Sequence, residues 1–173
     1  MFATCLLYCF NNAGIFEAGP LADMDQAAWD RLLAVNLTGV FLTMKHEIIH
    51  MRASGGGAII NTASNLGAHL RLPTLGGYAA TKAAVSALTR ATALEYIPDG
   101  IRINAVSPGP MDTPMSLRPG ETEAGRARRL ADTLPAGRVG TLAEAAAAVL
   151  WLASPEAGFT IGHDLVIDGG AAA

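Results

Sequence analysis

The sequence predicts an α/β domain built on a parallel sheet with helices on both faces. Three observations carry this expectation. Short apolar runs alternate with long segments of helical periodicity, as strand–helix–strand crossovers require. Apolar residues make up 51% of the chain and charged residues 16%, enough material for a core and unlike a disordered composition. The length, 173 residues, suits one domain over residues 1–173.

The elements follow in order. Thr4–Phe10 is an apolar run ending at Asn11-Asn12-Ala13-Gly14, which fits a buried strand entering a loop. From Asp25 to about Arg52 apolar positions recur at helical spacing (Trp29, Leu32, Leu33, Leu37, Val40, Phe41, Met44, Ile48), and Ser54-Gly55-Gly56-Gly57 stops them. This is a long helix, broken near its start. Ala58–Thr62 reads as a strand, followed by a polar, glycine-containing loop up to Gly77. Tyr78–Tyr96 is Ala-rich, free of internal Gly and Pro, and ends at Pro98-Asp99-Gly100, so it reads as a second long helix. Ile101–Val106 is a β-branched strand stopped by Ser107-Pro108-Gly109-Pro110. A weak helix over Glu121–Leu134, a firmer one over Leu142–Leu152 and a last strand at Leu165–Ile167 complete the pattern, and no internal repeat is visible.

Charge and hydropathy exclude several functions. The net charge is -3 and basic residues cluster no further than Arg126, Arg128 and Arg129, so nucleic acid is not an expected partner. The longest uninterrupted apolar run, Ala145–Ala153, is about half of what a bilayer crossing needs, and no membrane association is expected. Met1–Phe10 lacks the basic flank and cleavage site of a signal peptide. Cys5 and Cys9 would share one strand face about 13 Å apart, too far to bridge. They read as core thiols in a reducing cytoplasm.

One spacing carries chemistry. Tyr78 and Lys82 stand at i and i+4, one turn apart on one helix face. A cation held there stabilises a phenolate and draws a phenol pKa of about 10 toward neutrality, which makes a general acid/base. Ser64 follows the Ala58–Thr62 strand at its C-terminal end, where open α/β sheets place their ligands, and can hydrogen-bond a carbonyl or alkoxide. Asn36 lies inside the first long helix among apolar neighbours, where its amide must find partners or cost about 1–3 kcal/mol.

Taken together, Asn11-Asn12-Ala13-Gly14, Val35-Asn36-Leu37-Thr38-Gly39, Ser64 in Ile59-Ile60-Asn61-Thr62-Ala63-Ser64, Tyr78-x-x-x-Lys82, Asn104-Ala105-Val106-Ser107-Pro108-Gly109 and Asp164-Leu165-Val166-Ile167-Asp168-Gly169-Gly170 stand in an order that resembles the classical short-chain dehydrogenases/reductases, almost end to end. The resemblance implies a Rossmann-like doubly wound sheet and NAD- or NADP-dependent interconversion of a secondary alcohol and a ketone. It implies Tyr78 as proton donor and acceptor, and Lys82 as the residue that lowers its pKa and binds the nicotinamide ribose. It implies Ser64 polarising the carbonyl and Asn36 holding a water that connects Lys82 to solvent. Asn11, Ala13 and Gly14 would line the cofactor crevice, and Pro108, Gly109, Met111 and Thr113 would meet the nicotinamide end. It also implies a homodimer or homotetramer through the helices over 25–52 and 78–96.

The sequence departs from that family pattern in one large respect. The Thr-Gly-x-x-x-Gly-x-Gly turn, whose bare backbone N–H groups cradle a pyrophosphate at a helix N-terminus, is not among these residues. The expectation is therefore an N-terminally truncated domain that begins at the fourth strand of the pattern. Cofactor binding would be impaired, the strand over Thr4–Phe10 would have an open apolar edge, and the chain alone would show little activity. Two rival readings accompany it. A chain without the glycine-rich turn can serve as a non-catalytic pseudoenzyme or assembly subunit. His46-Glu47-Ile48-Ile49-His50 matches the H-E-x-x-H pattern of zinc hydrolases, although Met51-Arg52-Ala53 does not continue it toward a third ligand.

Overall fold

In a computed structural model, which describes residues 8–173, four strands form one parallel sheet: β1 (Tyr8–Asn11), β2 (Gly57–Thr62), β3 (Ile101–Pro108) and β4 (Asp164–Ile167). They lie side by side in chain order, with Phe10 opposite Ile60, Ile59 opposite Ile103 and Val106 opposite Leu165. The first part of the expected Thr4–Phe10 strand, with Cys5, lies outside the described residues. The ladder continues one residue further than expected at β1 and two at β3, because Pro108 sits at the strand's end opposite Ile167, where its missing N–H is tolerated.

Alternation along the strands sorts the core onto two faces. Ile59, Ile101, Ile103 and Ala105 point to one face and pack beneath α2 (Gly39–Ser54) and α3 (Gly76–Tyr96), meeting Val40, Met44, Ile48, Met51 and Val85. Ala58, Ile60 and Val106 point to the other, under Leu152 of α5 (Leu142–Ala153). The Arg102 guanidinium, on that second face, donates to the carbonyls of Leu152 (2.7 Å), Ala153 (2.9 Å) and Ser154 (3.0 Å). A cation thus caps the negative end of α5. At the other end Thr141 and Glu144 form a capping box. The weak helix is real: α4 runs over Glu123–Thr133.

The first long helix is broken, as the sequence leads one to expect, and the form of the break is specific. Helix α1 (Gln26–Leu33), capped by the Asp25 side chain, passes through one π-turn over Ala34–Thr38 into α2. The widened turn places Asn36 at zero exposure on the inner face. The combined stretch Gln26–Ser54 also has the length and composition of a membrane span, a property that a search for uninterrupted apolar runs passes over. Its core face buries Leu32, Val40, Met44, Ile48 and Met51, while Phe41, Leu42 and Ile49 stay exposed.

Candidate active site

The C-terminal ends of β1, β2 and β3 and the first turns of α3 converge on Tyr78. Gly77, just before it, lets α3 start against α1: a Cβ there would lie 2.7 Å from Met24 Cε and 3.4 Å from Leu32 Cδ1. Tyr78 is 6% exposed, and the ring of Phe16 meets it edge-on at 5.0 Å between centroids. Ser64, two residues past β2, is buried beside the Tyr78 phenol, near enough to draw its pKa down. Its Oγ also accepts from the Leu66 N–H at 3.1 Å, so the hydroxyl is held by its own loop.

Lys82 lies one turn along α3, 3% exposed, with Nζ 6.0 Å from the centre of the Tyr78 ring. It donates to the Thr62 carbonyl at 2.8 Å, which ties α3 to the end of β2. Burial pulls the ammonium down to about 8, because an apolar surrounding disfavours its charge. Burial also raises the Tyr78 phenol above its ordinary value, and the neighbouring Ser64 hydroxyl opposes this without overcoming it. In this arrangement desolvation governs both groups.

Asn36 faces the same space from the π-turn. Its Oδ1 accepts from the Ile15 N–H (2.8 Å) and its Nδ2 donates to the Ile15 carbonyl (2.9 Å) and Thr81 Oγ1 (3.2 Å). Both amide protons are committed to holding the loop after β1 against α3. Gly14 is the point of closest approach: a Cβ there would lie 3.4 Å from both Asn36 Oδ1 and Lys82 Nζ. A bare backbone here places no side chain over the ammonium.

The remaining residues singled out by sequence divide into two groups. Pro108, Gly109, Met111 and Thr113 lie at and beyond the end of β3, where Gly109 packs so closely on Asp168 that a Cβ would meet it at 2.6 Å. Helix α4 fastens this loop: Arg126, 5% exposed, donates to Asp112 Oδ1, to the Thr113 carbonyl (3.1 Å) and to Ser116 Oγ (3.0 Å). A cavity of about 330 Å³ opens beside Met111, between Pro110, Leu134, Ala136 and Ile167. Ala13 is exposed at the end of β1. The Asn11 side chain turns away from Lys82, donating to Asn61 Oδ1 (2.9 Å) and Glu47 Oε2 (3.0 Å), and so locks β1 to β2 and α2.

Glu47, the glutamate of the H-E-x-x-H run, is therefore an acceptor for Asn11. It also faces the Cys9 thiol, which burial and this carboxylate push up to about 12. Cys9 packs against the main core, as expected for a structural thiol. His46 and His50 are exposed on α2, and among the described residues no three His, Cys, Asp or Glu side chains gather as a metal site would need.

One polar centre escaped sequence reasoning. Asp164 opens β4 with a side chain of zero exposure, and its carboxylate accepts from Ser86 Oγ of α3 (2.6 Å), Ser107 Oγ of β3 (2.5 Å) and His69 Nε2 (3.0 Å). Ser107 and Asp164 were legible only as members of longer runs, and His69 as a loop residue. Their partnership spans 95 residues of chain and has no local signal.

Comparison with known proteins completes the description. A family profile described as "Enoyl-(Acyl carrier protein) reductase" matches residues 5–172. The chain is 45% identical over 161 residues to cis-4-hydroxycyclohexanecarboxylate dehydrogenase of Sinomonas cyclohexanicum and 41% identical over 161 residues to cyclohexanol dehydrogenase of Acinetobacter sp. strain SE19. These alignments cover 92% of this chain and 63% and 61% of the relatives, so the chain spans just under two thirds of their length. Among solved structures, a gluconate 5-dehydrogenase from Burkholderia cenocepacia J2315, in complex with NADP and tartrate, superposes with a TM-score of 0.90 at 36% identity. That match covers 96% of this chain and 65% of the other.

Proposed function

The chain belongs to the short-chain dehydrogenase/reductase family, and on that premise we propose that its fold serves NAD(P)-dependent interconversion of a secondary alcohol and a ketone, with Tyr78 as the acid/base. The observation that carries this reading is the buried Ser64 hydroxyl beside the Tyr78 phenol, with the Lys82 ammonium one helical turn away. The residues present fit the nicotinamide end of a dinucleotide. Gly14 places no side chain over the Lys82 ammonium, and Lys82 donates one proton to Thr62 and has two more to offer.

When bound, the nicotinamide accepts hydride from the carbinol carbon or delivers it to the carbonyl carbon. All proton handling falls to this chain. In oxidation the substrate hydroxyl gives its proton to the Tyr78 phenolate, while Ser64 donates a hydrogen bond to the substrate oxygen and holds it beside the phenol. In reduction the Tyr78 phenol protonates the oxygen that develops negative charge. Lys82 supports the phenolate electrostatically and reaches the ribose. Asn36, whose Oδ1 retains one free lone pair, holds the water between Lys82 and solvent. Asn11, Ala13 and Gly14 form the crevice wall on one side, with Pro108, Gly109, Met111 and Thr113 on the other. The glycine-rich phosphate turn is not among these 173 residues, so the test needs cofactor in excess.

Relatives named for cyclohexanol and for a hydroxycyclohexanecarboxylate favour an alicyclic secondary alcohol as the substrate to try first. Assembly as a dimer or tetramer through residues 25–52 and 78–96, in the cytoplasm, belongs to the same reading. Phe41, Leu42 and Ile49 on α2 and Leu94 on α3 expose the apolar surface such an assembly would cover. The test is turnover of cyclohexanol with saturating NAD or NADP. Tyr78→Phe should lower kcat at least ~10²-fold, within the range for loss of a general acid/base. Turnover unchanged by Tyr78→Phe would sink the assignment.

A further inference from the structure

The loop from Asn65 to Leu70 joins the two halves of the site. It begins next to Ser64, and its backbone lies directly on α3: Gly67, at φ +126°, would place a Cβ 2.7 Å from the Ala79 carbonyl and 2.9 Å from Ala83 N. The loop closes on itself through Gly67 N–H to the Leu70 carbonyl (2.8 Å) and Leu70 N–H to the Asn65 carbonyl (2.7 Å). Its base is pinned by the Asn65 amide, which donates to Asp168 Oδ2 at 3.2 Å. Its far end is pinned by His69 alone among its polar side chains. With Asp164 ionised the carboxylate can only accept, so His69 Nε2 donates.

Asp164 receives Ser86 from α3 one turn beyond Lys82, Ser107 from β3, and His69 from the loop. Three elements of the site thus meet on one buried carboxylate. Two of these donors are packed into the core at 2% and 0% exposure, whereas the His69 side chain is 21% exposed. The His69 bond is therefore the member that can open without disturbing the core.

We propose that His69 is a positioning residue: by donating to the buried Asp164 it latches the 65–70 loop onto α3 and so holds Ser64 against the Tyr78 phenol. Its effect on turnover rests on the reading of Ser64 and Tyr78 given above. The latch itself does not. Opening it would leave the segment beyond Ser64 held by polar side chains only at its Asn65 base, and a displacement of about 1 Å at a reacting group is enough to cost up to ~10²-fold in rate.

The experiment compares His69→Ala, which removes the donor, with His69→Gln, whose amide nitrogen can reach the same carboxylate. Hydrogen exchange of the full chain is followed by mass spectrometry, and turnover by initial rates. In H69A the amides of residues 65–72 should exchange at least ~10-fold faster, while β2 and β3 keep their protection. In the same variant kcat should fall about tenfold with the cofactor KM unchanged, and H69Q should restore both. Unchanged exchange at 65–72 in H69A, or an H69Q variant as open as H69A, would overturn the latch. A loosened loop with normal kcat would overturn the positioning role. A wild-type chain that turns over no alcohol even with cofactor in excess would refute the proposed function and the catalytic part of this inference together, leaving the exchange comparison to decide the latch on its own.

Discussion

Lys82 should make the protein less stable than an uncharged residue of the same shape. Its ammonium is 3% exposed and is lowered from 10.5 to about 8, a fall of about 2.5 that burial alone causes. At about 1.36 kcal/mol per pKa unit, the charged form is disfavoured on folding by about 3 kcal/mol. The sign follows from proton binding. Between pH 8 and 10.5 the unfolded chain holds a proton on Lys82 that the folded chain has released, so stability rises with pH across that window. Below pH 8 the penalty is present in full. Lys82→Met keeps the length and removes the charge, and it also removes the charged donor to the Thr62 carbonyl, worth about 1.5 kcal/mol. The variant should therefore be more stable than wild type by about 2 kcal/mol at neutral pH. The advantage should shrink as the pH approaches 10.5. Urea unfolding at pH 7 and at stepped higher pH measures the difference directly. Comparing the two proteins cancels the opposite contribution of Cys9, whose folded-state thiol is held near 12 and which loses stability as the pH rises above its unfolded value. A variant less stable than wild type at pH 7, or a difference that does not change with pH, would refute the reasoning. The same variant should lose alcohol oxidation, which would make Lys82 a case of stability given up for function.

Asn36→Ala removes three hydrogen bonds that join the loop after β1 to α3 and leaves the Ile15 N–H and carbonyl without their side-chain partner. The expected loss is about 1–3 kcal/mol, measured as a fall in the urea midpoint with an unchanged slope; an unshifted midpoint would contradict the role given to the amide. Turnover should also depend on pH in opposite senses for the two directions. Burial holds the Tyr78 phenol above its ordinary value, so oxidation, which needs the phenolate, should climb from neutral into alkaline pH, whereas reduction, which needs the phenol, should not. Initial rates in both directions test this, and an oxidation rate falling over that range would remove Tyr78 from the role of base.

Local patterns were enough to place most of the elements. Apolar spacing located the first long helix and the break in it, an Ala-rich run free of Gly and Pro located α3, and turn residues bounded β2 and β3. Where it fell short, the reason was physical. The π-turn over Ala34–Thr38 follows from burying Asn36 toward Ile15 and Thr81, partners 21 and 45 residues away. The extension of β3 through Pro108 follows from its pairing with Ile167, which sequence alone could not supply.

The sequence by itself determined which groups stand on one helix face, Tyr78 and Lys82, because four residues make about one turn in any α-helix. It also determined, through the order of its motifs, that Ser64 belongs beside them. Only the tertiary structure decided how those groups are charged and held. Desolvation depends on everything packed around a side chain, and at Tyr78 and Lys82 it outweighs the attraction that their spacing alone would lead one to expect. Likewise Asp164 gathers Ser86, Ser107 and His69 from three elements far apart in the chain. A buried carboxylate needs donors from whatever the fold brings within reach, and no local pattern records where they will come from.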